Sequence, residues 1–199
     1  MLGVLLGDGC ISRYIAQGRT QFATAFTASS SEYWYYEEFV QPTFEANFGI
    51  SGYLYRRKDN TTRYHVYGAR VANALTSIGI PIGKKHDASI PQCVFESGHI
   101  VPFIRGLYHA EGSIYRRYSK QCREHARIYY NRLTIQIRMK LSTLMHQIRD
   151  ELTKLGIMAN RLTDKDGVYT LRITSQLMIT KFLDLIRPRY KTKPREASL

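Results

Sequence analysis

The 199-residue chain carries 29 Lys and Arg against 16 Asp and Glu, a formal net charge of +13, and 44% of it is hydrophobic. It can bury a core, which excludes a disordered chain, and its charge directs it to a polyanion, nucleic acid before an acidic membrane. Three excluded features narrow the class further. No stretch approaches the roughly 18 apolar residues of a membrane span. No charged segment leads into a long apolar run as in a signal peptide. Cys10, Cys93 and Cys122 make neither a disulfide framework nor a zinc ligand set, which predicts a reducing, intracellular setting.

In chain order, the pattern predicts a short apolar helix over residues 1–8 and strands near 10–17 and 20–28, where Phe22, Thr24 and Phe26 alternate with smaller residues. Ser31-Glu32 reads as the start of a helix that runs to about Phe48, with Tyr33, Tyr36, Phe39, Val40 and Phe44 on one side. Strands near 50–57 and 62–67 are joined by a turn at Asp59-Asn60, and a helix follows over 69–78. Residues 79–98 read as a linker edged by Gly79, Pro81, Gly83, Pro91 and Gly98. The same order then returns: helix near 99–110, strands near 112–118 and 129–138, helix near 141–155, strands near 158–163 and 168–174 around Asp166-Gly167, helix near 176–186.

The chain repeats itself. With Gly49-Ile50 set on Gly156-Ile157, Lys58-Asp59 falls on Lys165-Asp166, Val66 on Ile173, Leu75 on Phe182, Pro81 on Pro188 and Lys84 on Lys191, all at a shift of 107. Gly3, Gly7, Asp8 and Gly9 match Gly106, Ala110, Glu111 and Gly112 at a shift of 103, so the second half has a longer early hairpin. The expected architecture is α+β: two pseudo-symmetric α-β-β-α-β-β-α halves, residues 1–78 and 99–199, each with a four-stranded antiparallel sheet.

Residues 2–9 and 104–112 are short apolar helices with small residues four apart, a spacing that lets two helix backbones approach closely. Each ends in an acid followed by Gly, which suits a left-handed position after the helix. A carboxylate there opposes the helix dipole, by a few tenths to about 1 kcal/mol, unless a cation sits beside it. Hard cations such as Mg²⁺ take carboxylate and carbonyl oxygens. Side by side, the two helices bring together Asp8 and Glu111, with the carbonyls of Gly7 and Ala110, as a metal site.

Both segments resemble the LAGLIDADG motif of homing endonucleases and related maturases. Asp8-Gly9 and Glu111-Gly112 fall on its final acid and glycine, and Gly3 and Gly106 on its inner glycine; Glu in the second copy still ligates metal but reaches farther. The resemblance spans nearly the whole chain. It implies that the motif helices form the central interface, that the final acids bind catalytic metal, and that the two sheets form a saddle over the DNA major groove. It also places basic residues at the active sites: Lys84 of the Lys84-Lys85 pair, Lys191 at the equivalent repeat position, and Lys140 at a strand-to-helix junction.

Strand alternation supplies the candidate DNA-reading surface. Arg63, His65 and Tyr67 oppose Tyr64 and Val66; Arg132, Thr134, Gln136 and Arg138 oppose Leu133, Ile135 and Ile137; Thr170, Arg172 and Thr174 oppose Leu171 and Ile173. Ser113, Tyr115 and Arg117 oppose Ile114 and Arg116, although Arg116 also enters the DNA-binding set with Arg117 as part of the basic hairpin 116–127, expected to grip phosphates. Arg and Gln can read guanine and adenine edges in the major groove.

The sequence is therefore expected to encode a monomeric, Mg²⁺-dependent endonuclease that cuts both strands of double-stranded DNA and promotes intron homing, with Mn²⁺ substituting and Ca²⁺ binding without cleavage. It would work inside the cell with access to DNA, in a prokaryotic cytoplasm or an organelle. Two alternatives stay open: a maturase with intron RNA as partner, and a DNA-binding protein of the same fold that has lost cleavage.

Overall fold

The computed structural model describes residues 1–86, 88–117 and 132–188. Helix α1 (Leu2–Asp8) opens the first half and leads directly into β1 (Gly9–Ala16) and β2 (Arg19–Ser29). A 3₁₀ turn (Ser30–Glu32), α2 (Tyr33–Tyr35), a π-helical segment (Tyr36–Val40) and α3 (Gln41–Phe48) follow as one irregular rod; β3 (Tyr53–Arg56), β4 (Thr61–Tyr67) and α4 (Ala69–Ser77) complete the half. After α5 (Gln92–Glu96), the second half repeats the order with α6 (Ile100–Glu111), β5 (Gly112–Arg117), β6 (Arg132–Met139), α7 (Ser142–Lys154), β7 (Thr163–Lys165), β8 (Val168–Ile173) and α8 (Gln176–Ile186). The two sheets run β1-β2-β4-β3 and β5-β6-β8-β7, antiparallel throughout, as the repeat predicts.

Local chemistry explains most of the boundaries. The Asp59-Asn60 turn closes with Asn60 at φ 59° and Asp59 Oδ1 accepting from the Thr61 hydroxyl at 2.6 Å. Its counterpart has Asp166 and Gly167 both at positive φ, the backbone that a two-residue hairpin requires. Two expectations shift. The helical rod is capped by Ser29, not Ser31: Ser29 Oγ accepts from the Ser31 amide while Glu32 Oε2 accepts from the Ser29 amide. Residues 158–162 are not strand; β7 is confined to Thr163–Lys165, and the segment before it meets β8 through the Asn160 amide, which donates to the Arg172 carbonyl at 2.7 Å.

The rod is irregular because Pro42 has no N–H for the carbonyl of Glu38, so the turn before it widens to the π pattern. Both Tyr35 and Tyr36 are thereby fully buried, while Tyr33 is only half-buried with the Arg56 guanidinium 4.5 Å above its ring.

One hydrophobic core runs through both halves, joining Phe26, Phe44, Tyr64 and Leu75 of the first to Ile104, Leu144, Ile148 and Phe182 of the second. The connecting segment is part of it. Ile80, Ala88, Ile90 and Val94 are buried, Ile82 bridges to Ile11, the Gly83 amide donates to the Ile11 carbonyl at 2.7 Å, and the Ile90 amide donates to Gln147 Oε1 at 2.8 Å. Among the described residues, no helix is long and apolar enough to cross a membrane.

Candidate active site and nucleic-acid face

Helices α1 and α6 pack against each other at backbone distance. A methyl carbon built on Gly3 would lie 2.1 Å from the Phe103 carbonyl oxygen, and one on Gly7 would lie 2.1 Å from the Cβ of Ala110 and 3.2 Å from the Cγ of Glu111. Four small residues therefore set the approach, as the spacing predicts. The glycines after the acids have a different reason from the expected one. Gly9 and Gly112 are extended, at φ −90° and −93°, not left-handed. A Cβ at Gly9 would meet the Leu5 carbonyl oxygen at 2.6 Å, and one at Gly112 the Tyr108 carbonyl oxygen at 2.4 Å. Strand follows helix without a loop, and only Gly fits the corner.

This packing brings the half-buried Asp8 and Glu111 to the joint end of the helix pair. Tyr36 donates its hydroxyl to Asp8 Oδ2 at 3.1 Å. Burial, then the Asp8 charge, pushes the Tyr36 hydroxyl far above its usual ionisation range, so it remains a donor and orients that carboxylate. The sequence singled out Tyr36 only as a core residue. Beside Glu111 lies a cavity of about 440 Å³ whose walls include Gly7, Lys85, Arg138, Lys140 and Val168.

The lysines sort unevenly. Lys140 lines the cavity with Glu111, as expected. Lys84 is exposed and does not; its neighbour Lys85 does. The Lys85 ammonium donates to the carbonyls of Leu6 at 2.7 Å, Gly7 at 2.8 Å, Gly9 at 2.8 Å and Leu5 at 3.3 Å. It gathers the free carbonyls of the α1 C-terminus, where a cation complements the helix dipole. Burial lowers its pKa, and the charges of Glu111, Cys10 and Asp8 oppose that shift. The correction from Lys84 to Lys85 follows from the way residues 82–83 lie along β1, which sequence alone does not reveal. Lys191 lies outside the described residues, as does most of the 116–127 hairpin.

The donors are oxygen only: the Asp8 and Glu111 carboxylates and the carbonyls at the helix ends, of which that of Gly7 already accepts from the Lys85 ammonium at 2.8 Å. That suits a hard cation such as Mg²⁺ or Mn²⁺. Among the described residues no cluster of three or more His, Cys, Asp or Glu gathers as an alternative centre. His109 is no ligand candidate. It is 2% exposed and its Nδ1 pairs with the Tyr35 hydroxyl at 2.7 Å, tying α6 of one half to the rod of the other.

The outer faces of the sheets follow the alternation. Arg63, His65 and Tyr67 stand opposite Thr27, Ala25 and Ala23 on one face, with Tyr64 and Val66 in the core. In the second sheet Ser113, Tyr115 and Arg117 register with Gln136, Thr134 and Arg132, while Gln136 and Arg138 register with Arg172 and Thr170. Three of the named residues depart from the expected surface: Arg116 registers with Leu133, on the opposite face from Tyr115, and Thr134 and Thr170 are 2% and 6% exposed, covered by the longer side chains around them. Gln136 Oε1 accepts both from the Tyr115 hydroxyl at 3.1 Å and from Arg172 Nε at 3.2 Å, and Thr174 Oγ1 pairs with Asn160 Oδ1 at 3.2 Å.

The LAGLIDADG-like domain family matches residues 99–187. Among solved structures, the homing endonuclease I-DmoI aligns over 96% of this chain and 94% of its own, at 19% identity and TM-score 0.63. I-DmoI in complex with DNA and Mn aligns over 95% and 94%, at 20% identity and TM-score 0.63. The LAGLIDADG meganuclease I-AabMI bound to uncleaved DNA aligns over 92% and 81%, at 13% identity and TM-score 0.61. No curated protein matches in sequence. Residues 99–187 thus form a LAGLIDADG-like domain, and the chain as a whole carries the two-sheet fold of the LAGLIDADG homing endonucleases, built around its paired motif helices.

Proposed function

We propose that the chain is a site-specific endonuclease that hydrolyses both strands of a long, asymmetric DNA duplex with a divalent metal and promotes intron homing. The observation that carries this reading is the meeting of two acid-tipped helix ends, Asp8 and Glu111, across the Gly7–Ala110 contact. Such a pair of carboxylates is costly without a cation and useful with one. Relatives of the same fold were solved with DNA and Mn or Mg.

Asp8, Glu111 and the Ala110 carbonyl would hold Mg²⁺, or Mn²⁺ in its place; the Gly7 carbonyl would join them only by giving up its hydrogen bond from Lys85. When bound, the ion supplies charge neutralisation at the scissile phosphate and lowers the pKa of water. The chain's own groups do the rest. Tyr36 fixes the Asp8 carboxylate. Lys140, in the cavity beside Glu111, offers positive charge where the phosphate accumulates negative charge. Lys85 holds the end of α1 and balances the two acids. Arg138, in the same cavity, grips the adjoining backbone. The protein acts as a monomer inside the cell, the halves 1–78 and 99–199 facing one strand each and joined by 79–98.

The test is cleavage of a plasmid carrying the uninterrupted host sequence. Mg²⁺ should give linear product, and Ca²⁺ should support binding without cutting. Asp8→Asn and Glu111→Gln should each abolish cutting while binding persists. Normal cutting by the double variant would sink the metal assignment.

A further inference from the structure

The two outer faces differ in kind. On the first sheet Tyr53, Tyr55, His65 and Tyr67 wall a cavity of about 500 Å³. The His65 and Tyr67 rings lie 4.4 Å apart and the Tyr53 and Tyr67 rings 6.3 Å apart, centre to centre. Tyr53 is 67% exposed and Tyr67 51%. Beside them, Ala23 and Ala25 share this outer face in register with Tyr67 and His65, yet are 2% and 3% exposed. These methyl groups are covered, so the apolar surface the face presents is the groove between the rings of Tyr53, Tyr55, His65 and Tyr67. The side chains able to form bidentate pairs with bases stand at its margins: Arg19 and Gln21 towards the hairpin tip, and Arg63 beside Tyr55.

The second sheet also has a covered floor, Thr134 and Thr170, but carries long polar side chains above it. Arg132, Gln136, Arg138 and Arg172 occupy its outer positions. Gln136 has its carbonyl oxygen taken by Tyr115 and Arg172, so its amide N–H groups are the part left to point at a ligand. A locked donor beside arginines fits base edges that accept, above all guanine O6 and N7.

Apolar side chains read one major-groove feature, the thymine C5-methyl group. We infer that the two sheets read chemically different half-sites: a thymine-rich one recognised by its methyl groups against the rings of Tyr53, Tyr55, His65 and Tyr67, and a guanine-containing one recognised by the Gln136–Arg172 pair. The inference rests on the DNA-endonuclease reading and deepens it. Charge and hydrogen bonding anchor one half of the duplex, while shape and methyl contacts discriminate on the other.

The test begins with the full chain, Ca²⁺ and a library of randomised duplexes, followed by sequencing of the bound fraction. The expected consensus has a thymine-rich half and a half with fixed guanines. The consensus duplex is then remade with deoxyuridine for thymidine in each half separately. In the thymine-rich half, affinity should fall about fourfold for each buried methyl lost; in the other half the same replacement should leave it unchanged. Tyr67→Ser should erase the deoxyuridine effect in the first half, and Gln136→Ala should relax preference only in the second, which fixes the orientation. Circular dichroism of both variants separates misfolding from lost contacts, and the deoxyuridine comparison needs no variant at all. Recovery of no consensus would overturn the site-specific reading itself. A consensus with guanines fixed equally in both halves, or indifferent to deoxyuridine, would overturn the inference and leave that reading standing.

Discussion

The ammonium of Lys85 stands 2.8 Å from the carbonyl oxygen of Gly7, and Gly7 precedes Asp8, one of the two acids at the joint helix end. One lysine from the connecting segment therefore holds the end of the helix that presents the first carboxylate. Lys85→Met keeps the side-chain length but removes the charge and the donor that the Leu6, Gly7 and Gly9 carbonyls share. A loss of about 1–3 kcal/mol is expected for hydrogen bonds to a charged group. It should appear as a lower urea midpoint with an unchanged slope. Lys84→Met, at an exposed position, should change stability by less than about 0.5 kcal/mol and leave the midpoint almost unmoved. Equal midpoints for the two variants would refute the capping role.

Gly7→Ala should separate the motif helices. The added methyl would sit 2.1 Å from the Cβ of Ala110, an overlap no rotamer relieves, and overpacking of this kind costs about 1–3 kcal/mol. Ala110→Gly removes the opposing methyl. The double variant should therefore be more stable than Gly7→Ala alone, a coupling visible in a thermal double-mutant cycle. Strict additivity would mean that the helices do not meet at this pair.

Tyr36→Phe removes the hydroxyl that orients Asp8 while keeping the ring in the core. Loss of an orienting partner of this type costs roughly 10–100-fold in activity or metal affinity, so cleavage should fall by that factor with little change in DNA binding. A pH signature accompanies it. The folded-state pKa of Tyr36 lies above its unfolded value of 10.0, so the folded chain holds this proton where the unfolded chain releases it. The contribution to stability is complete below pH 10 and is lost as pH rises beyond it. Wild type should lose stability above pH 10 more steeply than Tyr36→Phe, in paired urea titrations. Parallel curves would show that Tyr36 is not held protonated by the fold.

Gln136 is fixed by Tyr115 and Arg172 before any ligand arrives. Tyr115→Phe keeps the ring but frees one side of the amide, which can then flip and present its oxygen. Discrimination by a bidentate reader amounts to about 1–3 kcal/mol per base pair; a partial loss of it at one position, with affinity for non-specific DNA unchanged, is the expected outcome in competition binding. Unaltered discrimination would mean that the lock does not direct the amide.

What the sequence revealed depended on periodicity. The outward set Arg132, Gln136 and Arg138 was readable because a strand places every second residue on the same face, and the core positions Ile135 and Ile137 confirmed it. The acid pair was readable because two helices carry the same small-residue spacing. Tyr36 was not, since its approach to Asp8 comes after a π-helical turn that no regular period describes. Lys84 and Lys85 are not told apart by the sequence because adjacent residues in an irregular segment have no periodic sides; the Ile11–Ile82 bridge decides which one reaches the helix end. The corner glycines were identified, but for the wrong reason: steric contact with Leu5 and Tyr108, not a left-handed backbone, excludes a side chain there.

In β4 the buried and the outward residues alternate, so Thr62, Tyr64 and Val66 hold the core while His65 and Tyr67 face outward. A substitution at an odd position of β4 can therefore change what the surface recognises without touching what keeps the molecule folded. The architecture is separable along its own chain. Surface side chains can change one at a time, in either half, while the helix pair stays fixed by the close approach at Gly3 and Gly7, where an added methyl would overlap Phe103 and Ala110.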